Sequence, residues 1–201
     1  ALEKEFEGHL FFKSVDLLDS AGVHKVIFRE FITNNIVLHG FVNNTAFAYD
    51  DIITNLNIER LQAMYHVNVF SPMMITKYAI RNMLLHKTKG SIIHISSISV
   101  HTGYKGLAMY ASSKGAMEAF SKDTGREWGV LGIRSNCVVP GFMATAMSAS
   151  LTDEQRSKIY ARTSLKTATS INSVAETVSF LLSDKASSIT GQNIHVDNGT
   201  I

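Results

Sequence analysis

The chain has 201 residues, enough for one domain with a substantial apolar core. Its 45% hydrophobic and 18% charged residues are typical of a folded protein, and its net charge of +2, without a run of Lys or Arg, gives no basic surface for nucleic acid. No apolar run approaches the length of about eighteen residues that crosses a membrane. The single cysteine, Cys137, cannot form an internal disulfide, so we expect a cytoplasmic protein.

The first part of the chain predicts alternating helices and strands. Ala1–Glu7 is typical of the end of a helix, and the apolar run Leu10–Val15 is typical of a strand. Helical spacing of the apolar side chains predicts a helix over Asp19–Phe31, with the Asp19 side chain as its N-cap. The apolar run Ile36–Val42 predicts the next strand.

A long helix, predicted over Ile58–Met83 after a short helical segment at Asp50–Ile53, carries an amide on its apolar face. Asn68 lies on this face, where an amide is unfavourable unless it is hydrogen-bonded. The residue is therefore either a satisfied contact between helices or a functional group. Pro72 cannot donate a hydrogen bond to the Asn68 carbonyl, which leaves that carbonyl free to hold a water molecule.

The stretch Ser91–Lys114 predicts a polar pocket at the end of a strand. The apolar run Ile92–Ile95 suits a buried strand of a parallel sheet, and Ser97 follows soon after. Tyr110 and Lys114 are four residues apart in a predicted helix, so they share one face. Such pockets form at the carboxyl ends of parallel strands.

These three side chains suit proton transfer to or from a carbonyl or alcohol oxygen. The pKa of a free phenol is near 10, and we expect the Lys114 ammonium to lower that of Tyr110. The tuned phenol would exchange the proton, and Ser97 would hydrogen-bond the same oxygen. The accompanying hydride requires a cofactor such as a nicotinamide. Taken singly, each residue also has a structural explanation, because serines often cap turns and Tyr-x-x-x-Lys is common by chance.

The rest of the chain continues the alternation of helices and strands. Thr152 is the expected N-cap of one of these helices. The predicted elements are a helix over Tyr110–Trp128, a strand over Ile133–Val139, helices over Asp153–Ala161 and Ser173–Ser183, and a strand over Asn193–Val196, with Asp197 capping the turn that follows.

No arrangement of side chains in the sequence predicts a bound metal. His-Glu-x-x-His and Cys-x-x-Cys are absent, and the eight histidines are scattered. His94 and His195 lie in apolar strand runs, so we expect structural imidazoles there. His101, in the loop after Ser97, is either an ordinary loop residue or part of the mouth of the pocket. Cys137 is expected to be a buried, unreactive thiol.

Several short motifs occur in a recognisable order along almost the whole chain, from about Phe11 to Ile201. They are Asn43-Asn44-Thr45-Ala46; Asn68 in His66-Val67-Asn68-Val69; Ser97, Tyr110 and Lys114; Pro140-Gly141-Phe142 with Thr145; and Ile189-Thr190-Gly191-Gln192 with Val196-Asp197-Asn198-Gly199. This set resembles the short-chain dehydrogenase/reductase family. Thr45 and Ala46 depart from the usual Ala-Gly and crowd a place where the family's backbone approaches the cofactor. Asn198 replaces a usual Gly.

The resemblance implies an α/β fold with a Rossmann-like, doubly wound and mostly parallel sheet in three α/β/α layers. It implies a single domain over residues 1–201 whose N-terminal strands are absent from this chain. By the same resemblance, Tyr110 is the general acid/base, and Lys114 lowers its pKa and holds the nicotinamide ribose. Ser97 orients the substrate oxygen, and Asn68 maintains a water of the proton relay.

The resemblance also implies contacts with NAD or NADP. The residues concerned are Asp16 and Leu17 at the adenine, Asn43 and Asn44 near the sugar, Tyr110 and Lys114 at the nicotinamide half, and Pro140, Gly141 and Thr145. The thirteen glycines never form Gly-x-Gly, so the turn that holds the pyrophosphate has no counterpart. We therefore expect these residues alone to have weak or no activity, and the segment that distinguishes NAD from NADP to be absent.

The implied activity is oxidoreduction of a small-molecule carbonyl/alcohol pair, most similar to 3-oxoacyl-[acyl-carrier-protein] reductases and their acyl thioesters. Leu131 departs from that branch, which often has a basic residue there, so a general ketone or sugar dehydrogenase remains open. Residues 142–166 correspond to a substrate lid, and small residues in Tyr110–Trp128 suit a homo-oligomer, a dimer or tetramer. A catalytically silent relative that serves in binding or assembly, or an inactive fragment, is the alternative.

Overall fold

The computed structural model describes residues 10–30, 34–145 and 151–201, and within them four parallel strands form one sheet. The strand order β1-β2-β3-β4 follows the chain order. Parallel neighbours require crossover connections, which the helices between the strands supply. The strands are β1 Gly40–Asn43, β2 Gly90–Ile95, β3 Ile133–Pro140 and β4 Asn193–Val196.

Helices occupy most of the remaining described chain. None of those described is both long and apolar enough to span a bilayer. The α-helices are α1 Ser20–Val23, α2 Ile58–Tyr65, α3 Ser71–His86, α4 Ser99–Thr102, α5 Ala108–Trp128, α6 Asp153–Tyr160 and α7 Ile171–Leu182. Two π-helical turns, His24–Arg29 and His66–Phe70, and three 3-10 turns, Ile53–Asn55, Gly129–Leu131 and Asp184–Ala186, complete the set.

The core lies on both faces of the sheet, because successive side chains of a strand point to opposite sides. On β2, Ile92 packs with Ile80 and Met83 of α3. Its neighbour Ile93 packs on the other face with Val174 and Leu181 of α7. The fold is therefore a three-layer, Rossmann-like α/β arrangement, as the sequence predicts.

Side-chain caps begin several helices where the sequence places them. Asp19 accepts a hydrogen bond from the Ala21 N–H at the start of α1. At the start of α6, Thr152 and Gln155 form a capping box, each side chain accepting from the other's backbone N–H. The Asp197 carboxylate accepts backbone hydrogen bonds from residues 199–201, which closes the turn after β4. Each of the three predicted caps is thus confirmed.

Several predicted elements differ from the structure, and one lies outside the described residues. Residues 10–16 form no strand, because a strand persists only with a hydrogen-bonded neighbour, and Phe11 is 79% exposed. The strand predicted from Ile36 begins only at Gly40. Asp50–Ile53 is not helical; a short 3-10 turn starts at Ile53 instead. The helix end at Ala1–Glu7 falls outside the described residues.

A π-helical turn interrupts the predicted helix Ile58–Met83. At His66–Phe70 each hydrogen bond joins residues five apart instead of four, so the Ser71 N–H donates to the His66 carbonyl. Pro72, at the start of α3, has no N–H to offer the Asn68 carbonyl, which accounts for the altered spacing. The turn places Asn68 and Val69 in the interior.

Candidate active site

The end of β2 and the start of α5 bring Ser97, Tyr110 and Lys114 to one cavity. β2 ends at Ile95, and Ser97 follows in the bend that leads to α4. Because α5 begins at Ala108, Tyr110 and Lys114 lie one above the other on a single helix face. The carboxyl edge of the parallel sheet therefore carries the predicted trio.

The hydroxyl of Ser97 is oriented by its neighbours. Its Oγ accepts hydrogen bonds from the Ser99 N–H at 3.2 Å and from the Ser99 hydroxyl at 3.0 Å. A hydroxyl has two acceptor lone pairs and one proton. Ser99 therefore occupies both acceptor positions of Ser97, and the Ser97 side chain lowers the pKa of the neighbouring Tyr110.

The environment of Tyr110 favours its protonated form. Burial raises the pKa of the phenol, the hydrogen bond from Ser97 lowers it, and the nearby Asp50 carboxylate raises it further. The net pKa is above the ordinary value. The expected lowering of this pKa by Lys114 is not seen here: burial is the largest cause of the shift, and Lys114 is not among its causes.

Lys114 is a buried ammonium held by the sheet. Its Nζ donates a 2.7 Å hydrogen bond to the Ile95 carbonyl and lies 5.8 Å from the centre of the Tyr110 ring. Lys114 is 3% exposed, and this burial lowers the pKa of its ammonium to about 8. An ammonium has three protons to donate, and the described residues show one protein acceptor for them.

Asn68 contacts the helix of Tyr110 through the side chain of Ser113. Its side chain accepts from the Phe47 N–H at 2.7 Å and donates to the Phe47 carbonyl at 2.9 Å. It also donates to the Ser113 hydroxyl at 3.0 Å. Ser113 lies between Tyr110 and Lys114 in α5. The structure thus has the satisfied contact that the sequence left open, and the Asn68 side chain does not line the cavity.

The cavity has a volume of about 730 Å³ and is lined by both polar and apolar side chains. Of the residues expected to contact a cofactor, six lie on its wall: Asn44, Tyr110, Lys114, Pro140, Gly141 and Thr145. Ala46, at the departure from the usual motif, also lines it. Two cations, Lys105 and Arg162, line it as well. The sheet edge therefore offers room for a ligand far larger than a water molecule.

Three residues expected to contact the cofactor do not line this cavity. Asp16 accepts from the Leu18 N–H, and the Leu17 carbonyl accepts from the Ser71 hydroxyl. Asn43 is buried and directs its amide at the His94 ring, 3.5 Å away. The cavity wall includes none of these three. His101 also does not line the cavity, because its ring turns to Glu118.

Sequence reasoning missed several polar residues in and around the cavity. Asp50 lines it and acts on the pKa of Tyr110, although no motif distinguishes it. Glu118 repeats the four-residue spacing of Tyr110 and Lys114, which is the one local signal that could have found it. His94, expected to be a structural imidazole, is buried in β2, and burial lowers its pKa to about 3.

The residues present fit the nicotinamide half of a dinucleotide. Lys114 is a buried cation on the cavity wall whose remaining protons suit the hydroxyls of a ribose. Tyr110 and Ser97 line the same wall. The described residues contain no group of three or more His, Cys, Asp or Glu side chains placed to hold a metal ion.

The family model described as Enoyl-(Acyl carrier protein) reductase matches residues 1–200. The chain is similar to 3-oxoacyl-[acyl-carrier-protein] reductase FabG of Escherichia coli (strain K12), with 35% identity over 158 residues, 79% of this chain and 64% of that protein. It is also similar to carbonyl reductase [NADPH] 2 of Sus scrofa, with 34% identity over 79% of this chain and 66% of that one. The chain therefore spans less than two thirds of the length of these relatives.

Solved structures support the same assignment at the level of the fold. A 4-hydroxyisoleucine dehydrogenase complexed with NADH superposes with a TM-score of 0.92, over 99% of this chain and 83% of that one, at 24% identity. At this identity the likeness concerns the fold alone. The site residues, the match along the chain and the shared architecture agree, and the chain belongs to the short-chain dehydrogenase/reductase family.

Proposed function

We propose that the protein is an NAD(P)-dependent oxidoreductase that interconverts a carbonyl and an alcohol. The observation that carries the proposal is the placement of Ser97 and Tyr110 on the wall of one cavity, where Ser97 lowers the Tyr110 pKa, with the buried Lys114 one helical turn beyond Tyr110. A reduced nicotinamide bound in the cavity would supply hydride to the carbonyl carbon. The protein must then supply a proton to the carbonyl oxygen.

Tyr110 gives that proton. With its pKa above the ordinary value, the phenol is protonated at neutral pH and can donate to the carbonyl oxygen as hydride arrives at the carbon. Donation leaves a phenolate, which the Ser97 hydroxyl and the Lys114 ammonium stabilise. In the reverse direction the same phenolate takes the proton of the alcohol.

Asn68 has a supporting part in the proposed proton relay. Its hydrogen bond to Ser113 fixes the α5 turn between Tyr110 and Lys114. The Asn68 side chain is already occupied by Phe47 and Ser113, so the backbone carbonyl is the group left to hold the relay water. Proton resupply to Tyr110 would pass through that water and Lys114.

The narrower substrate class we propose is a 3-oxoacyl thioester. The support is the similarity to the Escherichia coli 3-oxoacyl-[acyl-carrier-protein] reductase and a cavity with apolar side chains from four segments. Residues 142–166 would act as the substrate lid. Leu151, Ile159 and Arg162 of this segment line the cavity, which supports that part, while residues 146–150 lie outside the described residues.

The cofactor is proposed as NAD or NADP, since the names of the relatives include both NADPH and NADH. We also propose that the protein is a homo-oligomer, as the small residues of α5 indicate. The alternative, a catalytically silent binding subunit, predicts nucleotide binding without turnover. The two are distinguished by assaying the same preparation for both properties.

Tyr110→Phe tests the proposal in the full-length protein. With acetoacetyl-coenzyme A as substrate and NADPH or NADH as reductant, we expect kcat to fall by about 10²- to 10⁴-fold, the usual contribution of a general acid. Nucleotide binding, followed by nicotinamide fluorescence, should persist. Tyr78→Phe, a buried tyrosine stacked on Phe28 away from the cavity, is the matched control. A Tyr110→Phe enzyme with the wild-type rate would refute the assignment of the proton donor.

A further inference from the structure

Glu118 is a buried carboxylate that the proposed chemistry does not use. It is 7% exposed and does not line the cavity. Oε1 accepts hydrogen bonds from the Ser96 hydroxyl and, at 3.1 Å, from the His101 ring nitrogen Nε2. Oε2 accepts one from the Asn193 amide at 2.7 Å. A buried carboxylate with three partners is a costly group, stable only where the surrounding donors match it.

These partners enclose the segment that carries Ser97. Ser96 immediately precedes Ser97, and His101 belongs to α4, which follows it. Asn193 is the first residue of β4. A single carboxylate therefore holds residues 96–101 near both ends and ties them to the last strand of the sheet.

Glu118 also lies on the same rigid element as the proton donor. Tyr110, Lys114 and Glu118 follow one another at four-residue intervals on α5. Lys114 holds the Ile95 carbonyl, and Glu118 holds the hydroxyl of the next residue, Ser96. The helix that carries Tyr110 is thus hydrogen-bonded to two consecutive residues at the end of β2, Ile95 and Ser96, directly before Ser97.

We propose that Glu118 is a positioning residue that fixes the Ser97 hydroxyl relative to Tyr110. This inference rests on the proposed function, since it concerns the same reaction. Ser97 lies in a bend, and a bend alone does not hold a hydroxyl within the few tenths of an ångström that a proton-transfer geometry requires. The Glu118 contacts connect that bend to the helix of Tyr110 and so set the position of the Ser97 hydroxyl relative to the phenol.

The first test compares Glu118→Ala with Glu118→Gln in the full-length enzyme. We expect Glu118→Ala to lower kcat by about 10- to 100-fold, the cost of a displacement near 1 Å, with KM for the nucleotide unchanged. Glu118→Gln keeps an oxygen for Ser96 and His101, and Asn193 can turn its amide oxygen to the new NH₂. It should therefore recover kcat to within about threefold of wild type. Asp123→Asn, which removes an exposed carboxylate from the same helix, is the matched control.

The second test asks whether Glu118 acts through Ser97. In a Ser97→Ala background, Glu118→Ala should cost little further kcat, because the hydroxyl that it positions is already gone. The proposal would be overturned if the fold-losses of kcat in the two single variants multiplied in the double variant. It would also be overturned if Glu118→Ala had the same kcat as Asp123→Asn. If Glu118→Ala does not fold, Ser96→Ala, which removes the contact nearest Ser97, must show the same loss of kcat and the same non-additivity. A Ser96→Ala enzyme with wild-type kcat, or with losses that multiply with those of Ser97→Ala, would also contradict the proposal.

Hydrogen exchange provides a readout that is independent of turnover. Glu118→Ala should speed amide exchange in residues 96–102, where the Ser99 N–H bonds the Ser97 hydroxyl, and leave that of α3 unchanged. Unaltered exchange in residues 96–102 would refute the proposal. A wild-type protein that neither binds nucleotide nor reduces the substrate would refute the proposed function instead, while the exchange result would still decide whether Glu118 holds the segment.

Discussion

At the scale of the single residue, burial governs the ionisation of the site. It raises the pKa of the Tyr110 phenol and lowers that of the Lys114 ammonium to about 8, so both shifts are toward the neutral form. At pH 7 the phenol retains its proton and the ammonium remains mostly charged. A protonated acid beside a cation is the arrangement that carbonyl reduction needs. The sequence predicted the pair but not the sign of the Tyr110 shift, because spacing carries no information about burial.

Lys114→Met is expected to abolish turnover without lowering stability at neutral pH. The folded pKa of Lys114, about 8, is below its unfolded value of 10.5, so the buried ammonium costs up to about 3 kcal/mol below pH 8. Loss of the hydrogen bond to Ile95 offsets part of the gain. The wild type recovers this stability as pH rises through 8 to 10.5, so the difference should narrow there.

Calorimetry of the Lys114→Met and wild-type proteins at pH 7 and pH 10 measures this difference. Lys122→Met, at an exposed lysine of the same helix, is the control. A variant that melts several degrees below wild type at pH 7 would contradict the expectation.

His94 is expected to limit stability in acid. Its ring is fully buried, its pKa is lowered to about 3, and its Nε2 has no hydrogen-bond partner among the described residues. Because the unfolded imidazole binds a proton near pH 6.5 and the folded one does not, stability should fall by about 1.4 kcal/mol per pH unit below 6.5.

The variant His94→Asn lacks this titration. Urea unfolding between pH 7 and pH 5 should therefore show wild type losing roughly 2 kcal/mol more than the variant, whatever their difference at pH 7. Parallel curves for the two proteins would show that the His94 ring titrates normally in the folded state.

At the scale of the element, local patterns were predictable and long-range pairing was not. The strand, bend and helix that carry Ser97, Tyr110 and Lys114 are contiguous in sequence, and apolar runs and helical spacing define each of them. Leu10–Val15 has an equally good strand pattern but no described strand beside it, and it forms none. Pro72 removes one helical hydrogen bond, so the sequence predicted an irregularity near Asn68. That the irregularity is a π-helical turn is seen only in the structure.

At the scale of the whole molecule, the site is an assembly of distant segments. Residues 44–50, 95–114, 140–145 and 151–162 all reach the cavity. Asp50 raises the pKa of Tyr110 across sixty positions of the chain, and Glu118 contacts Asn193 across 75. No periodicity or motif encodes contacts at such separations. The meeting of Ser97, Tyr110 and Lys114 at one cavity could therefore be predicted from sequence, whereas their electrostatic surroundings could not.

We expect the groove between α3 and α5 to be an interface with a second copy of the chain. Met73, Ile80, Phe120 and Trp128 line it with apolar surface, and Lys77, Arg81 and Glu127 give it charges of both signs. Light scattering should find at least two chains per particle. Met73→Asp should shift the protein toward a monomer, because a buried interface carboxylate is costly. Ile171→Asp, at an exposed position of α7, should leave the mass unchanged; equal masses for all three proteins would contradict the expectation.

The Glu118–Asn193 contact gives the folding of this chain an order. Ser97, Tyr110 and Lys114 lie within a single crossover from β2 to β3, whose contacts are short in sequence and form early. Asn193 belongs to β4, which is synthesised after the crossover from β2 to β3. During synthesis Tyr110 and Lys114 can therefore assemble first. The carboxylate of Glu118 acquires its final partner only when β4 docks beside β3, so the docking of that strand and the completion of the Glu118 contacts are the same event.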